Sequence, residues 1–391
     1  MFTLPGLWPT HEQRLALKAA LSTEDAAVAA FHDWLSVIDL NEDFDQGTLR
    51  LLPLMYDNLQ AHRVAHPVMR RLKGVYRLTW YRNNKLFGDV RPVLDALKTA
   101  NIPIMLIKGA PLAERYYRNI AVRPMSDIDI VVPTRMAENA LRVMASFPYT
   151  PYTHPTDDYL KYRHAMRYAS QKMGEIDMHW HALCDCRAAN DDDIFWKAAV
   201  PFVFGGVPCV TPDATRLLFQ TTIHGVRWNE ETPIRWIADA MAILRSAEEI
   251  DWAAIEDHAF RSQLGHRLHL ALAYLKHHFG APIPVSVLAR IAAQRTTLVQ
   301  RIENTVVLRN ATHLYGSPLG HLWISFCDYC RFARNEPPLA FAIGFTHYMR
   351  FRWELRGRRE MIGYVLRGIM KRIKRWFRPA LPQPAEDRAA D

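Results

Sequence analysis

Apolar positions along this chain follow two rhythms. From residue 10 to residue 100 they recur every three to four positions, as in Leu15 to Leu21 and in Ala27 to Ile38, where Phe31, Trp34, Leu35 and Ile38 share one face. Helices are predicted there, with Thr23 and Glu24 as N-terminal capping residues between them, and further helices over Thr48 to His62 and Met69 to Ala100. At Asn101 the rhythm shortens. Ile102 to Ile107 is a brief apolar run after a turn signal, which predicts a buried strand, and Leu112 to Tyr117 predicts a helix with Pro111 in its first turn. Ser126 to Val132 alternates, placing Asp127 and Asp129 on one face and Ile128 and Ile130 on the other. Thr134 is read as the cap of a helix over Arg135 to Phe147. Gly174 to Trp180 alternates again, with Glu175, Asp177 and His179 opposite Ile176, Met178 and Trp180. Helical spacing returns over Ala214 to Trp228, Pro233 to Glu249 and Trp252 to Phe279.

These elements predict an α+β fold, a small mixed sheet with flanking helices embedded between N-terminal and C-terminal helical regions. The expected boundaries are a helical region at 1–100, a catalytic core at 101–211 and a helical domain at 212–350. A basic amphipathic helix follows at 351–378 and a disordered, Pro/Ala-rich tail at 379–391. In that last helix Ile362, Leu366, Ile369, Ile373 and Trp376 form one stripe, and Arg367, Lys371, Lys374 and Arg378 the other. It is a candidate contact for an anionic membrane or a nucleic acid.

Composition narrows the class. The 391 residues are 49% hydrophobic and 23% charged, with 11 Trp, which suits a well-buried protein of two or three structural units and not a disordered one. The net charge of +9 favours polyanionic partners such as triphosphates, nucleic acid or anionic lipid. Five cysteines without a regular framework suit a reducing cytoplasm. Met1 to Trp8 carries no secretory signal, and no window of eighteen uninterrupted apolar residues predicts a membrane span.

The chemistry lies in the carboxylates. Two aspartates two residues apart on a strand, Asp127 and Asp129, repel one another unless a cation lies between them. Hard oxygen donors suit magnesium, and two-metal phosphoryl transfer uses such a cluster. Asp177, in the same alternating context, is the candidate third carboxylate. The competing explanation for the pair is the polar face of an edge strand. Context favours function: a strand leads into Lys108 and Gly109, a helix follows, and the aspartates lie on the next strand. Glycine lets backbone N–H groups approach phosphate, while Lys108 and Arg123 offer cationic charge to a triphosphate.

Lys108 to Tyr117, followed by Arg123 to Val131, resembles the uncharacterised bacterial nucleotidyltransferase family within the DNA polymerase β-like superfamily. More distantly it is similar to AbiEii-type toxin nucleotidyltransferases with their Lys-Gly-Gly and Asp-x-Asp elements. The likeness extends over most of residues 30–285 and includes Leu51 to Tyr56, Glu175 to Trp180, His224 to Trp228, Ile234 to Asp239 and Ile250 to Trp252. It implies a nucleotidyltransferase-type sheet. It also implies Asp127, Asp129 and Asp177 as catalytic metal ligands for Mg2+, with Asp177 as possible base. Lys108, Gly109, Ala110, Arg123 and Ser126 would lie around a nucleoside triphosphate. One departure is visible: Ala110 follows Gly109 where the superfamily carries Gly-Ser or Gly-Gly, so the usual phosphate-touching hydroxyl is absent.

The implied reaction moves a nucleoside monophosphate from an NTP such as ATP to an acceptor. The acceptor class stays open among small molecules, biosynthetic intermediates and RNA; a toxin-like RNA or tRNA nucleotidyltransferase and a catalytically weak nucleotide-binding scaffold are the alternatives. His179, His181, Cys184 and Cys186 are metal-capable but lack a standard zinc spacing. His179 is read as lining the cleft, and Cys327 and Cys330 as core packing. His224, Arg227, Arg235 and Asp239 are read chiefly as a capped, salt-bridged helical pair, with substrate binding that closes the cleft from the helical side as the alternative.

Overall fold

The computed structural model describes residues 7–40, 44–153, 158–188, 190–226, 233–298, 300–301, 318–355, 357, 359–361, 363–364, 366–367 and 370. The chain divides into two compact units, Met1–Asn335 and Glu336–Asp391. Lys371, Lys374 and Arg378, with most of the expected basic helix and the tail, lie outside the described residues, as do Arg227 and Trp228.

In the first unit, α1 (His11–Leu21) opens with a capping box in which Thr10 and Gln13 bond reciprocally. Helix α2 (Glu24–Val37) starts after Thr23, whose side chain makes no capping bond. Helices α3 (Gln46–Leu49) and α4 (Leu52–Ala61) lead to α5 (Met69–Thr99). Strand β1 (Met105–Ile107) and α6 (Gly109–Arg115) precede β2 (Asp127–Val131) and α7 (Ala137–Met144). Thr134 does not cap a helix through its side chain; its hydroxyl donates to the Trp180 carbonyl at 2.9 Å.

Seven strands form one mixed sheet in the order β3-β4-β5-β2-β1-β7-β6. The others are β3 (Thr150–Pro151), β4 (Ala165–Ala169), β5 (Glu175–His179), β6 (Ala199–Phe204) and β7 (Val207–Pro212). The pairing that positions the chemistry is β2 with β5, parallel and in register, so that Asp129 lies beside Asp177 and Asp127 beside Glu175. Because side chains alternate, this register sets Ile128, Ile130, Ile176 and Met178, all fully buried, together on the opposite face. β6 and β7 form an antiparallel hairpin through Gly205 and Gly206, both at positive φ. The sequence reading had no strands there; Pro201, Pro208 and Pro212 obscure the pattern, and β6 tolerates its proline as an edge strand.

Helices α8 (Tyr159–Tyr162) and α9 (Asp193–Lys197) lie between strands. After the sheet come α10 (Ala214–Gly225), α11 (Arg235–Leu244), α12 (Trp252–Arg261), α13 (Gly265–Phe279) and α14 (Val285–Ala293). The expected single helix over Trp252 to Phe279 is broken at Ser262–Leu264, where Gln263 takes a positive φ of 59°. One apolar core joins the N-terminal helices, the inner strands and α10–α14, and Trp8 stacks on Tyr274 of α13 at 4.6 Å between ring centres. Helix Pro318–Phe332 lies late in the first unit, and Pro338–Arg352 is a helix of the second. Among the described residues no helix is long and apolar enough to cross a membrane.

Candidate active site

A cavity of about 590 Å³ opens over β2 and β5. Asp127, Asp129 and Asp177 all line it, together with Lys108, Gly109, Arg123 and Ser126. Ala110 is buried and does not line it; its methyl packs inward, one position past the turn. Helices α3, α10 and α11 complete the wall with Arg50 (just past α3), Gln220, His224, Arg235 and Asp239.

Asp129 is buried and held by two cations. Lys108 Nζ reaches its Oδ1 at 2.5 Å and His179 Nε2 the same oxygen at 3.0 Å. Lys108 sits at φ 53°, ψ −111°, a backbone region that L-residues rarely occupy; such strain costs on the order of 1–3 kcal/mol and persists where the surroundings impose it. The turn thereby aims the lysine at the acidic strand. Burial opposes its charge, but Asp129, Asp177 and Asp127 outweigh burial and hold Lys108 protonated above its ordinary range.

His179 is not in the cavity wall, contrary to the sequence reading. It is buried behind the carboxylates, because β5 is an interior strand and His179 is paired on both sides, with Val131 and Ala165. Its Nε2 contacts Asp129 Oδ1 and, at 3.1 Å, Asp177 Oδ2, while Nδ1 faces the His181 carbonyl at 3.3 Å. All three partners only accept hydrogen bonds, so both ring nitrogens donate and the ring is an imidazolium. Burial disfavours that charge, yet Asp177 and the bonds to both carboxylates push His179 up to about 9. In turn, burial would raise Asp129 and Asp177, but Lys108 and His179 hold the first well below the carboxylate range and His179 holds the second below it. Asp127 goes the other way. Burial and the neighbouring Asp129 push its carboxyl up, and its recorded contact is the Ser126 hydroxyl at 3.4 Å, with no cation in ion-pair range among the described residues.

Asp129, Asp177 and His179 form the group of closely spaced metal-capable side chains found among the described residues, with ligand atoms within 4.8 Å of one another. Asp129 and Asp177 offer carboxylate oxygens and His179 a ring nitrogen that a metal ion could claim by displacing its proton, and Asp127 lines the same cavity. A donor set dominated by carboxylate oxygens fits a hard divalent cation such as magnesium. The other candidate ligands lie outside this group: His181 bonds to Asp192, and Cys184, Cys186, Cys327 and Cys330 are in no disulfide.

On the other wall, Arg123 is buried and makes a two-point ion pair with Asp239 of α11, Nε to Oδ1 and Nη2 to Oδ2 at 2.8 Å each. Tyr117 donates to the same carboxylate at 2.8 Å. The reading of Asp239 as half of a local helical pair is therefore corrected: its partner comes from the loop before β2. Arg123 Nη1 is buried with no hydrogen-bond partner among the described residues and lies close under Gly109. Arg235 makes no ion pair among the described residues; it donates to the Pro124 carbonyl at 2.5 Å, and burial followed by Arg123 lowers it to about 10.

The geometry is thus an acidic strand pair beside a basic turn in one cavity. The uncharacterised-nucleotidyltransferase family matches residues 48–280, more than half of the sequence. The chain belongs to that family. No curated protein matches the chain. Among solved structures it is similar to an antigenic nucleotidyltransferase-like protein from Paracoccidioides brasiliensis, at 12% identity and a TM-score of 0.35, covering 58% of this chain and 98% of that one. It is also similar to the antibiotic-resistance factor ANT(2'')-Ia, at 14% identity and a TM-score of 0.32, covering 49% of this chain and 97% of that one. His224, Arg235 and Asp239 line the cavity as in the alternative the sequence allowed for them, whereas Arg50 and Gln220 are cavity residues of this family member that the sequence reading did not place at the site. Their signal was weak, because each comes from a helix distant in sequence from the aspartates.

Proposed function

We propose that this nucleotidyltransferase moves a nucleoside monophosphate from an NTP to an acceptor hydroxyl, phosphate or amine and releases pyrophosphate. The observation that carries this reading is the in-register β2–β5 pair, which turns Asp127, Asp129 and Asp177 toward one cavity whose other lining includes Lys108, Arg123 and Arg235. Asp127, Asp129 and Asp177 would hold magnesium, which when bound neutralises phosphate charge and polarises the transferring phosphoryl group.

The protein's own groups supply the rest. Arg123 Nη1, buried, and Arg235, half-buried in the cavity wall, are positive charge placed for an anion, and the phosphates of the nucleotide satisfy them. Arg123 cannot swing away, since Asp239 grips its other two nitrogens. Preorganised charge of this kind stabilises the transferring group without reorganisation during reaction. Asp177 is ionised, with one oxygen on His179, and takes the proton of the acceptor as its oxygen or nitrogen bonds to the α-phosphorus and the bond to pyrophosphate breaks. His179 keeps Asp129 and Asp177 ionised and oriented from behind.

The test is pyrophosphate release from each NTP with magnesium and panels of hydroxyl, phosphate and amine acceptors, alongside thermal stabilisation by each magnesium–NTP. Stabilisation that vanishes in Asp127→Asn supports the reading. Neither stabilisation nor pyrophosphate release with any NTP sinks it.

A further inference from the structure

Helix α5 carries an unpartnered basic face that the nucleotide site does not use. Residues 69–88 contain six Lys and Arg and no acidic residue. Arg70, Lys73, Arg77, Trp80 and Tyr81 follow i, i+3, i+7, i+10, i+11 spacing and so share one side of the helix. All five are exposed, with Trp80 at 54% and Tyr81 at 60%. None of the three cations makes an ion pair among the described residues, whereas Lys85 further along is tied to Asp89. Like charges on successive turns repel, and large aromatic rings left in water cost burial that a monomer would normally recover.

We infer that this face of α5 binds single-stranded RNA, the cations taking phosphates and Trp80 and Tyr81 stacking on bases. The pattern decides between polyanions. A helix that lies on a membrane separates an apolar stripe from a charged one. Here the apolar stripe, Leu72, Leu86, Val90 and Val93, is already in the protein core, and the exposed rings Trp80 and Tyr81 continue the row of cations about one helical turn beyond Arg77. A row of cations that runs into exposed rings offers a single strand both of the partners it needs, charge for its phosphates and stacking surface for its unpaired bases. At 1.5 Å per residue, Arg70 and Tyr81 are about 16 Å apart along the axis, room for a few nucleotides. The helix is also fixed to the strands of the site. Asn83 donates to the carbonyls of Ile120 at 2.6 Å and Arg123 at 2.9 Å and accepts from Met125 N at 3.2 Å, and Asp89 accepts from Gly174 N at 2.9 Å. RNA on α5 therefore lies on the element that braces the entries to both β2 and β5.

The inference does not depend on nucleotide transfer, and its test reads binding alone. Fluorescence anisotropy of the full chain with a labelled mixed-sequence 20-nucleotide RNA, run from low to moderate salt, should show saturable, salt-sensitive binding. Trp80→Ala and Tyr81→Ala should each weaken it by about tenfold. Arg70→Gln/Lys73→Gln/Arg77→Gln should lower the log–log salt slope by about 2. Arg142→Gln/Lys197→Gln, cations elsewhere on the surface, should leave it unchanged. All these side chains are exposed, and unchanged melting curves confirm that the variants fold. No RNA binding by the parent at low salt, or equal binding by parent and α5 variants, overturns the inference. Binding of phosphatidylserine-containing vesicles through these residues without RNA binding also overturns it, in favour of a membrane face.

Discussion

Arg123 and Asp239 are 116 residues apart in sequence and meet in a buried two-point ion pair at 2.8 Å. The pair ties the loop before the acidic strand to the helical wall of the cavity. Removing one charge leaves the other buried and uncompensated, which typically costs about 3–5 kcal/mol. Asp239→Asn should therefore lower unfolding free energy by about 3 kcal/mol in urea titrations. Arg123→Met/Asp239→Leu should cost less than the sum of Arg123→Met and Asp239→Leu, because neither charge is then stranded. Additive losses would show that the pair contributes nothing beyond its separate side chains.

Asp127 and Asp129 are both cavity carboxylates, but their substitution should affect folding in opposite directions. Asp129 accepts from partly buried Lys108 and buried His179, so Asp129→Asn removes a charge partner from both and should destabilise the protein by about 2–4 kcal/mol. Asp127 is pushed up by burial and by Asp129, so its ionisation works against folding at neutral pH. Asp127→Asn should therefore leave stability equal or slightly raised while abolishing magnesium-dependent nucleotide stabilisation. Parallel melts of the two variants with and without magnesium–ATP check both statements. A loss of stability in Asp127→Asn as large as in Asp129→Asn would contradict the assignment of charges.

The acidic face was legible because strand alternation is local: Asp127 and Asp129, and separately Glu175, Asp177 and His179, fall on one side whatever the tertiary fold. The partnership of Asp129 with Asp177 was not, since it depends on a parallel register between strands separated by α7, β3 and β4. His179 was placed on the correct strand face but at the wrong depth, because depth comes from the strands on either side and not from alternation. The β6–β7 hairpin had a usable signal in Gly205-Gly206 between two apolar runs, which prolines disguised. Arg123 with Asp239 had no local signal at all.

His258 gives a pH dependence remote from the site. It is packed edge-on against Phe219, with ring centres 4.4 Å apart, and its Nε2 has no partner among the described residues. Burial, then Arg261, Arg216 and Arg334, lowers it to about 3 from the ordinary 6.5. Between those values the unfolded chain binds a proton that the folded chain refuses, so this contribution is complete above pH 6.5 and is lost as pH falls. At pH 5, about 1.5 units below the ordinary value, the loss is about 2 kcal/mol. His258→Phe should fold and should show a smaller stability difference between pH 7 and pH 5 by that amount in urea titrations. An unchanged difference would mean that His258 titrates alike in both states.

Gly109 tests whether the turn matters for its shape or only for its place in the sequence. A Cβ there would come within 3.0 Å of Met125 Sδ and 3.2 Å of Arg123 Nη1. The methionine is flexible and yields at little cost. Arg123 is pinned by Asp239 and cannot yield without weakening that pair, so the added methyl must displace either the turn or the guanidinium that faces the cavity. Gly109 is not among the glycines at positive φ, so alanine adds no backbone strain there and the fold should stay near parental stability. Gly109→Ala should thus bind magnesium–ATP at least tenfold more weakly by calorimetry while melting within a few degrees of the parent. Gly109→Ala/Met125→Ala, which relieves only the methionine, should recover little of that binding. Full recovery in the double variant would place the clash on Met125 and remove Arg123 from nucleotide binding.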